Sequence, residues 1–319
     1  MTALWTAEAV AQATGAQTAG DWVASGVSID TRSLAAGDLF VALVGPNRDA
    51  SCFVAEAFER GAVAAAVSHA PEGAFDPGSL VVVSDTQLAL EGLGRGGRDR
   101  TRARIVGVTG SVGKTGTKEA LRHVLSRQAP THASAASYNN QWGVPLSLAR
   151  MPEAASYGVF ELGMNHAGEI RALTAQVRPH VALITAIAPA HLEFFPSLEA
   201  IADAKAEIFE GLEPGGVAVL CRDGEHFRRL HDHAQRCGAA RIVTFGRHAA
   251  ADWLLEELHL AAEHSEAVVV RGGRRLAFRL GTPGEHVAMN CVGVLAVAEA
   301  LGADVAHAAA SRSLAGTRC

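Results

Sequence analysis

Between Arg104 and Thr115 the chain reads Arg-Ile-Val-Gly-Val-Thr-Gly-Ser-Val-Gly-Lys-Thr. An apolar, strand-like run enters a glycine-containing loop, and a helical pattern through Leu121, Val124 and Leu125 follows it. That layout commits the segment to a strand–loop–helix unit. It suits a nucleotide triphosphate, because backbone N–H groups and a helix N-terminus converge where the phosphates sit. Lys114 is placed to meet the β- and γ-phosphates, and the Thr115 hydroxyl to meet Mg²⁺. The strict pattern G-x-x-x-x-G-K-[ST] is not met, since Val108 holds the first glycine position; what is present is T-G-S-x-G-K-T. The candidate nucleotide-binding residues are Gly110, Ser111, Val112, Gly113, Lys114, Thr115 and Gly116.

From Arg104 onward short apolar segments alternate with helical ones. Strands are expected at Ile105–Val108, Tyr157–Leu162, Val181–Ile187, Val217–Leu220 and Ile242–Phe245, with helices centred near residues 122, 173, 205 and 230. The alternation implies a mostly parallel, doubly wound sheet carrying the phosphate loop. Val268 to Phe278 reads as a hairpin turning at Gly272-Gly273, and a last helix runs from about His286 to Leu301.

The residues before Arg104 read as a smaller α/β unit. Thr6 can cap a helix through Ala13, Asp38–Val44 is strand-like, a helix from Val54 to Arg60 ends at Gly61, and Val63–Val67 and Leu80–Ser84 are further buried strands. Gly92 to Arg102 is rich in Gly and Arg without a hydrophobic period, and reads as a frayed helix end and a linker. The expected organisation is α/β throughout, with a small N-terminal domain over residues 1–102 and a central domain over residues 103–319.

Composition narrows the function classes. The 319 residues are 49% hydrophobic and 19% charged, as in a core-forming globular protein, and aromatics are only 5%, so Ala, Val and Leu must fill the core. A formal net charge of −5 argues against nucleic-acid binding as the main function. The five cysteines are an odd, widely spaced set with no C-x-x-C, so reduced thiols are expected rather than a disulfide framework or a zinc site. No basic, apolar leader opens the chain, and the longest apolar run, around Val287 to Ala298, is too short to span a bilayer. A soluble, cytoplasmic protein without membrane insertion is expected.

In open α/β sheets ligands sit beyond the C-terminal ends of the strands, and three unusual residues fall at that edge. Thr115 belongs to the loop. Glu161 ends the apolar strand Tyr157-Gly158-Val159-Phe160, where a buried carboxylate is costly unless paired or metal-bound, the alternative being a solvent-exposed strand end. His191 follows Ile187 by a few residues, in Ala188-Pro189-Ala190-His191. Thr115, Glu161 and His191 could hold Mg²⁺ with hard oxygen donors and one imidazole. Lys205 lies four after Ile201 and three before Ile208, on the inward stripe of a helix that also includes Leu198 and Leu212. An ammonium there needs a partner or must snorkel outward. Asn139-Asn140 opens a polar loop that enters a helix at Gly143-Val144-Pro145, and Asn290 in the last helix is either a core amide or one that recognises a base.

Taken together these segments resemble the Mur ligases of bacterial cell-wall synthesis. The similar stretches run in the family's order and cover nearly the whole chain. They are Asp30-Thr31-Arg32 with Gly37 to Leu43, the phosphate loop through Lys118-Glu119, Asn139-Asn140 to Pro145, Glu161 to Ile170, Ala190-His191-Leu192-Glu193, Ala204 to Ile208, and Gly284 to Asn290. The resemblance is strongest to the member that joins D-alanyl-D-alanine to a UDP-N-acetylmuramoyl-tripeptide. It implies an ATP- and Mg²⁺-dependent amide-forming ligase that works through an acyl phosphate. It also implies roles: Lys114, Lys205 and His191 in catalysis, with Lys205 as a carbamate that joins Thr115, Glu161 and His191 around metal. Asn290 would lie by the adenine, and Asp30, Thr31, Arg32, Asn139 and Asn140 on the UDP-linked substrate.

The chain departs from the family pattern in four places. Asp49-Ala50-Ser51-Cys52 stands where the family usually has Asp-Gly-His before Phe53, His286-Val287 where it has His-Asn, and Gly116 where a Ser or Thr usually follows the loop. The family's third, C-terminal domain has no counterpart before Cys319. The alternatives are therefore a nucleotide- and UDP-sugar-binding module without turnover, or a sister Mur or folylpolyglutamate-type ligase.

Overall fold

The computed structural model describes residues 3–310, apart from 18–19, 46–47, 72, 74 and 190–192. The chain forms two compact units: Met1–Thr101 with Trp142–Glu153, and Arg102–Gln141 with Ala154–Cys319. The expectation of an α/β protein with a small first unit and a parallel-sheet second unit holds, but the segment 142–153, read as part of the second, packs with the first.

In the N-terminal unit helix α1 (Ala7–Thr14) starts where the Thr6 hydroxyl accepts from the Ala9 N–H. Four parallel strands follow: β1 (Gly26–Ser28), β2 (Asp38–Val41), β3 (Ala64–Val67) and β4 (Leu80–Val82) lie side by side in chain order. Helix α2 (Val54–Glu59) precedes β3.

The reading of Gly92 to Arg102 as a frayed end and linker is overturned. Helix α3 runs from Thr86 to Arg100, capped by the Asp85 carboxylate, and buries Gly92, Gly94 and Gly97. A Cβ on Gly92 would lie 2.2 Å from the Ala13 carbonyl oxygen, and one on Gly97 would lie 2.2 Å from that of Leu148. These glycines cost helix propensity but let α1 and the helix Gly143–Ala149 approach to backbone contact. The second helix is held further by Trp5 Nε1, which donates to the Ala149 carbonyl at 2.9 Å, and by Arg100, which donates to Ala149 and Met151. That is why a segment far along the chain belongs to this unit.

The central unit is a nine-stranded sheet. In chain order its strands are β5 (Arg104–Thr109), β6 (Thr131–Ala133), β7 (Tyr157–Glu161), β8 (Val181–Ile184), β9 (Val217–Cys221), β10 (Arg241–Gly246), β11 (Trp253–Leu260), β12 (Ser265–Arg271) and β13 (Arg274–Leu280). Across the sheet they run β6-β7-β5-β8-β9-β10-β11-β12-β13, parallel as far as β11 and antiparallel beyond. The inner strands β7, β5, β8 and β9 are almost wholly buried, as parallel strands covered on both faces must be. Helices α4 (Lys114–Ser126), α5 (Glu169–Val177), α6 (Leu198–Ala206), α7 (Phe227–Arg236) and α8 (Glu285–Ala300) connect or flank the strands.

The β12–β13 hairpin turns at Gly272 and Gly273, both at positive φ (56° and 78°), as a two-residue turn matched to strand twist requires. β8 ends at Ile184, short of the expected Ile187, because Thr185 and Ala186 bond the phosphate loop instead. The inward stripe of α6 ends its α-helix at Ala206 and tightens into a 3₁₀ turn over Glu207–Gly211. Edge strand β6 and strand β11 were not anticipated. Among the described residues Cys52, Cys221, Cys237 and Cys291 are free thiols, and no helix is long and apolar enough to cross a membrane.

Candidate active site

β5 lies between β7 and β8, so the loop it feeds opens at the switch point of the sheet. The loop depends on two glycines. Gly110 has φ 152° and Gly113 has φ 81°. A Cβ on Gly110 would fall 1.9 Å from Thr185 Oγ1, and one on Gly113 would fall 2.3 Å from Asn290 Nδ2. The neighbouring strand pins the loop: Ser111 N donates to the Ala186 carbonyl at 2.7 Å, and Thr185 Oγ1 donates to that of Val112, also at 2.7 Å. Helix α4 then starts at Gly113 with no side-chain cap, leaving its first N–H groups open toward an anion.

Lys114 folds back over this concavity and donates from Nζ to the Gly110 carbonyl at 2.8 Å. Burial holds its ammonium below the usual lysine range, with the Glu161 charge opposing the shift. Glu161 is only 1% exposed, which removes the solvent-facing reading of this strand end. One of its oxygens accepts from the Thr115 hydroxyl at 2.9 Å and the other from Asn139 Nδ2 at 2.8 Å. The loop, the end of β7 and the polar segment before Gly143 thus meet at one carboxylate. Asn140, next in the chain after Asn139, is exposed.

Lys205 is 1% exposed and makes no hydrogen bond or ion pair among the described residues. Burial first, and the Lys114 charge second, push its pKa down to about 7. His191 lies outside the described residues. Asn290 is half-buried against Gly113, so the structure places its amide at the loop. A Cβ on Gly116 would meet nothing within 4 Å, so the absent Ser or Thr leaves no gap in the packing.

The donor set fits a hard divalent ion. The Thr115 hydroxyl and Glu161 carboxylate oxygens already lie together. Among the described residues no three His, Cys, Asp or Glu side chains cluster.

In the N-terminal unit, Asp30 caps the 3₁₀ turn Thr31–Ser33 and pairs with Arg32 at 2.6 Å. That hydrogen bond holds the Asp30 carboxyl below its ordinary value. Thr31 is buried and Arg32 is largely exposed.

Three polar residues were given no role by the sequence reading, although Lys118 and Glu207 lie in segments that resemble the family. Thr185 threads the loop as described. Glu207 is 4% exposed and caps the start of α5, accepting from Gly168 N and Arg171 N. Lys118 is fully buried on α4. Lys118 falls four after Lys114, so helical spacing alone could have put it on the face of the loop lysine. The partners of Thr185 and Glu207 lie 36 or more residues away and leave no local signal.

The model of the Mur ligase middle domain matches residues 108–298. The chain is 32% identical over 302 residues to the UDP-N-acetylmuramoyl-tripeptide–D-alanyl-D-alanine ligase of Rickettsia prowazekii, covering 95% of this chain and 67% of that protein. This chain belongs to the Mur ligase family. A crystal structure of MurF from Acinetobacter baumannii superposes with a TM-score of 0.88 at 32% identity, over 98% of this chain and 69% of that one. MurF from Thermotoga maritima in complex with ADP gives 0.75 at 26% identity, over 89% and 65%. The chain spans about two thirds of the length of each. Within the Mur ligase match fall the phosphate loop, Asn139, Glu161, Lys205 and Asn290; Asp30, Thr31 and Arg32 precede it.

Proposed function

We propose that this chain acts as a MurF-type ligase, joining D-alanyl-D-alanine to the terminal carboxylate of a UDP-N-acetylmuramoyl-tripeptide at the expense of ATP, in the cytoplasm. The observation that carries the reading is Glu161, a carboxylate buried at a strand end and bonded to the hydroxyl of the phosphate loop. Such a carboxylate is costly without a cation, and the loop beside it is built for polyphosphate.

In this reading the open N–H groups of α4 and the Lys114 ammonium bind the β- and γ-phosphates, and Lys114 exchanges its carbonyl partner Gly110 for phosphate oxygen. A carboxylate oxygen of the tripeptide attacks the γ-phosphorus, and ADP leaves. The amine of D-alanyl-D-alanine then attacks the acyl carbon, the tetrahedral adduct expels phosphate, and the amine gives up its proton. Thr115, Glu161, His191 and the carbamate of Lys205 are the residues that would hold Mg²⁺, which supplies charge neutralisation at the transferring phosphoryl group. The depressed pKa of Lys205 supports the carbamate, since only a neutral amine adds to CO₂. Asn290 borders the nucleotide, Asn139 and Asn140 border the acceptor, and Asp30, Thr31 and Arg32 hold the UDP-sugar.

Incubation of the chain with ATP, Mg²⁺, UDP-N-acetylmuramoyl-tripeptide and D-alanyl-D-alanine tests this. Phosphate release matched by pentapeptide on mass spectrometry is the expected result. Nucleotide bound without pentapeptide assigns the chain to the binding-module alternative. Turnover with a single amino acid in place of the dipeptide assigns it to a sister ligase.

A further inference from the structure

Lys118 is a fully buried cation that the proposed chemistry does not use. Its ammonium has three protons and meets three acceptors: the carbonyls of Ser134 at 2.9 Å and Ala136 at 2.6 Å, and Glu119 Oε1 at 2.8 Å. Ala136 has φ 44°, a left-handed conformation that is unfavourable for a residue with a Cβ. The turn is held from its other side where Ser134 N donates to the Val159 carbonyl of β7 at 3.0 Å.

Three residues past Ala136 comes Asn139. Its carbonyl accepts from Gly163 N at 2.8 Å, and its side-chain amide occupies one oxygen of Glu161. With that oxygen taken, the other faces Thr115. A connected path therefore runs from Lys118 through the strained turn and Asn139 to the carboxylate at the mouth of the loop. Lys118 and Thr115 are three apart on α4, so the same helix presents one end of this path and the hydroxyl at the other.

We propose that Lys118 is a positioning residue for the cation site: by holding the Ser134–Ala136 turn it sets Asn139, and through Asn139 it aims the Glu161 carboxylate at Thr115. The proposal rests on the reading of Thr115 and Glu161 as metal ligands. Residues that orient metal ligands typically change affinity about 10–100-fold when removed.

The test uses the full chain with Mn²⁺ as the probe, its binding read by electron paramagnetic resonance in the presence of ATP. ATP binding without metal is measured in parallel, and backbone hydrogen exchange at residues 134–139. Lys118→Met is expected to weaken Mn²⁺ about tenfold, to leave metal-free ATP binding within about twofold, and to speed exchange at 134–139 while α4 stays protected. Combined with Asn139→Ala it should weaken Mn²⁺ no more than Asn139→Ala alone, as for two residues acting in series. Lys118→Arg keeps the charge but not the three-bond geometry, and is read by the same ratio where the methionine variant does not fold. Equal weakening of Mn²⁺ and metal-free ATP, unchanged Mn²⁺ affinity, or losses that multiply in the double variant would overturn the proposal. A wild-type chain that binds no Mn²⁺ with ATP overturns the ligase reading itself.

Discussion

Lys118 and Lys205 are buried alike, at 0% and 1% exposure, in surroundings of opposite character. Lys118 spends its protons on two carbonyls and a carboxylate. Lys205 has no hydrogen-bond partner among the described residues, and its nearest charge effect is repulsion from Lys114. A buried ammonium is expensive unless paired. The first site has met that cost within the fold, whereas the second shows no such partner among the described residues. Equal burial thus hides a difference in pairing, which in the readings proposed above separates a lysine that builds a site from one that is part of it.

The largest effect that could break this contrast is catalytic. Lys205→Met is expected to lower kcat by about 10²–10³, the usual scale for losing one charged stabiliser of a transition state, while the denaturation midpoint at pH 7 holds or rises. A fall in stability with full turnover would reverse the assignment. Mass spectrometry in bicarbonate should find one CO₂ on Lys205 of the wild type.

Next in size, Lys118→Met should destabilise the central unit by about 3 kcal/mol in urea denaturation, because it leaves buried carbonyls without donors. Near-wild-type stability would mean the turn does not need its cation.

The pH dependence sharpens the same contrast. The Lys205 pKa is lowered in the fold to about 7, against 10.5 in an unfolded chain. Between those values the unfolded chain binds the extra proton, so this lysine makes stability rise with pH from about 7 to 10.5. The destabilisation is fully present below pH 7. Comparing urea midpoints across that range, Lys205→Met should flatten the rise.

Glycine substitutions around Lys114 give the smaller effects. Gly113→Ala puts a Cβ at positive φ and 2.3 Å from the Asn290 amide. It should cost about 1–2 kcal/mol of stability and weaken ATP in a calorimetric titration. Gly116→Ser enters open space and should stay within about 0.5 kcal/mol of wild type.

Much of this was legible in the sequence because its causes are local. Thr6 caps α1 through the next turn, Gly272-Gly273 closes a two-residue hairpin, and the apolar runs around Ile105, Val181 and Val217 can only be strands covered on both faces. Lys205 was identifiable as inward-facing from its spacing to Ile201 and Ile208. The stretch Gly92–Arg100 was not legible, because its glycines serve two helices distant in sequence, one at Ala13 and one at Leu148, and propensity counts only what they cost.

The sequence by itself determined the strand–loop–helix around Gly-Lys-Thr, the α/β class and the residue types at the sheet edge, since periodicity and turn chemistry act over a few neighbours. Only the tertiary structure decided that Glu161 is shared between Thr115 and Asn139, that Thr185 threads the loop, that residues 142–153 join the first unit, and which of two buried lysines is satisfied. Those outcomes are pairings between groups distant in sequence. A buried charge declares its need for a partner locally, but the partner is supplied by the fold.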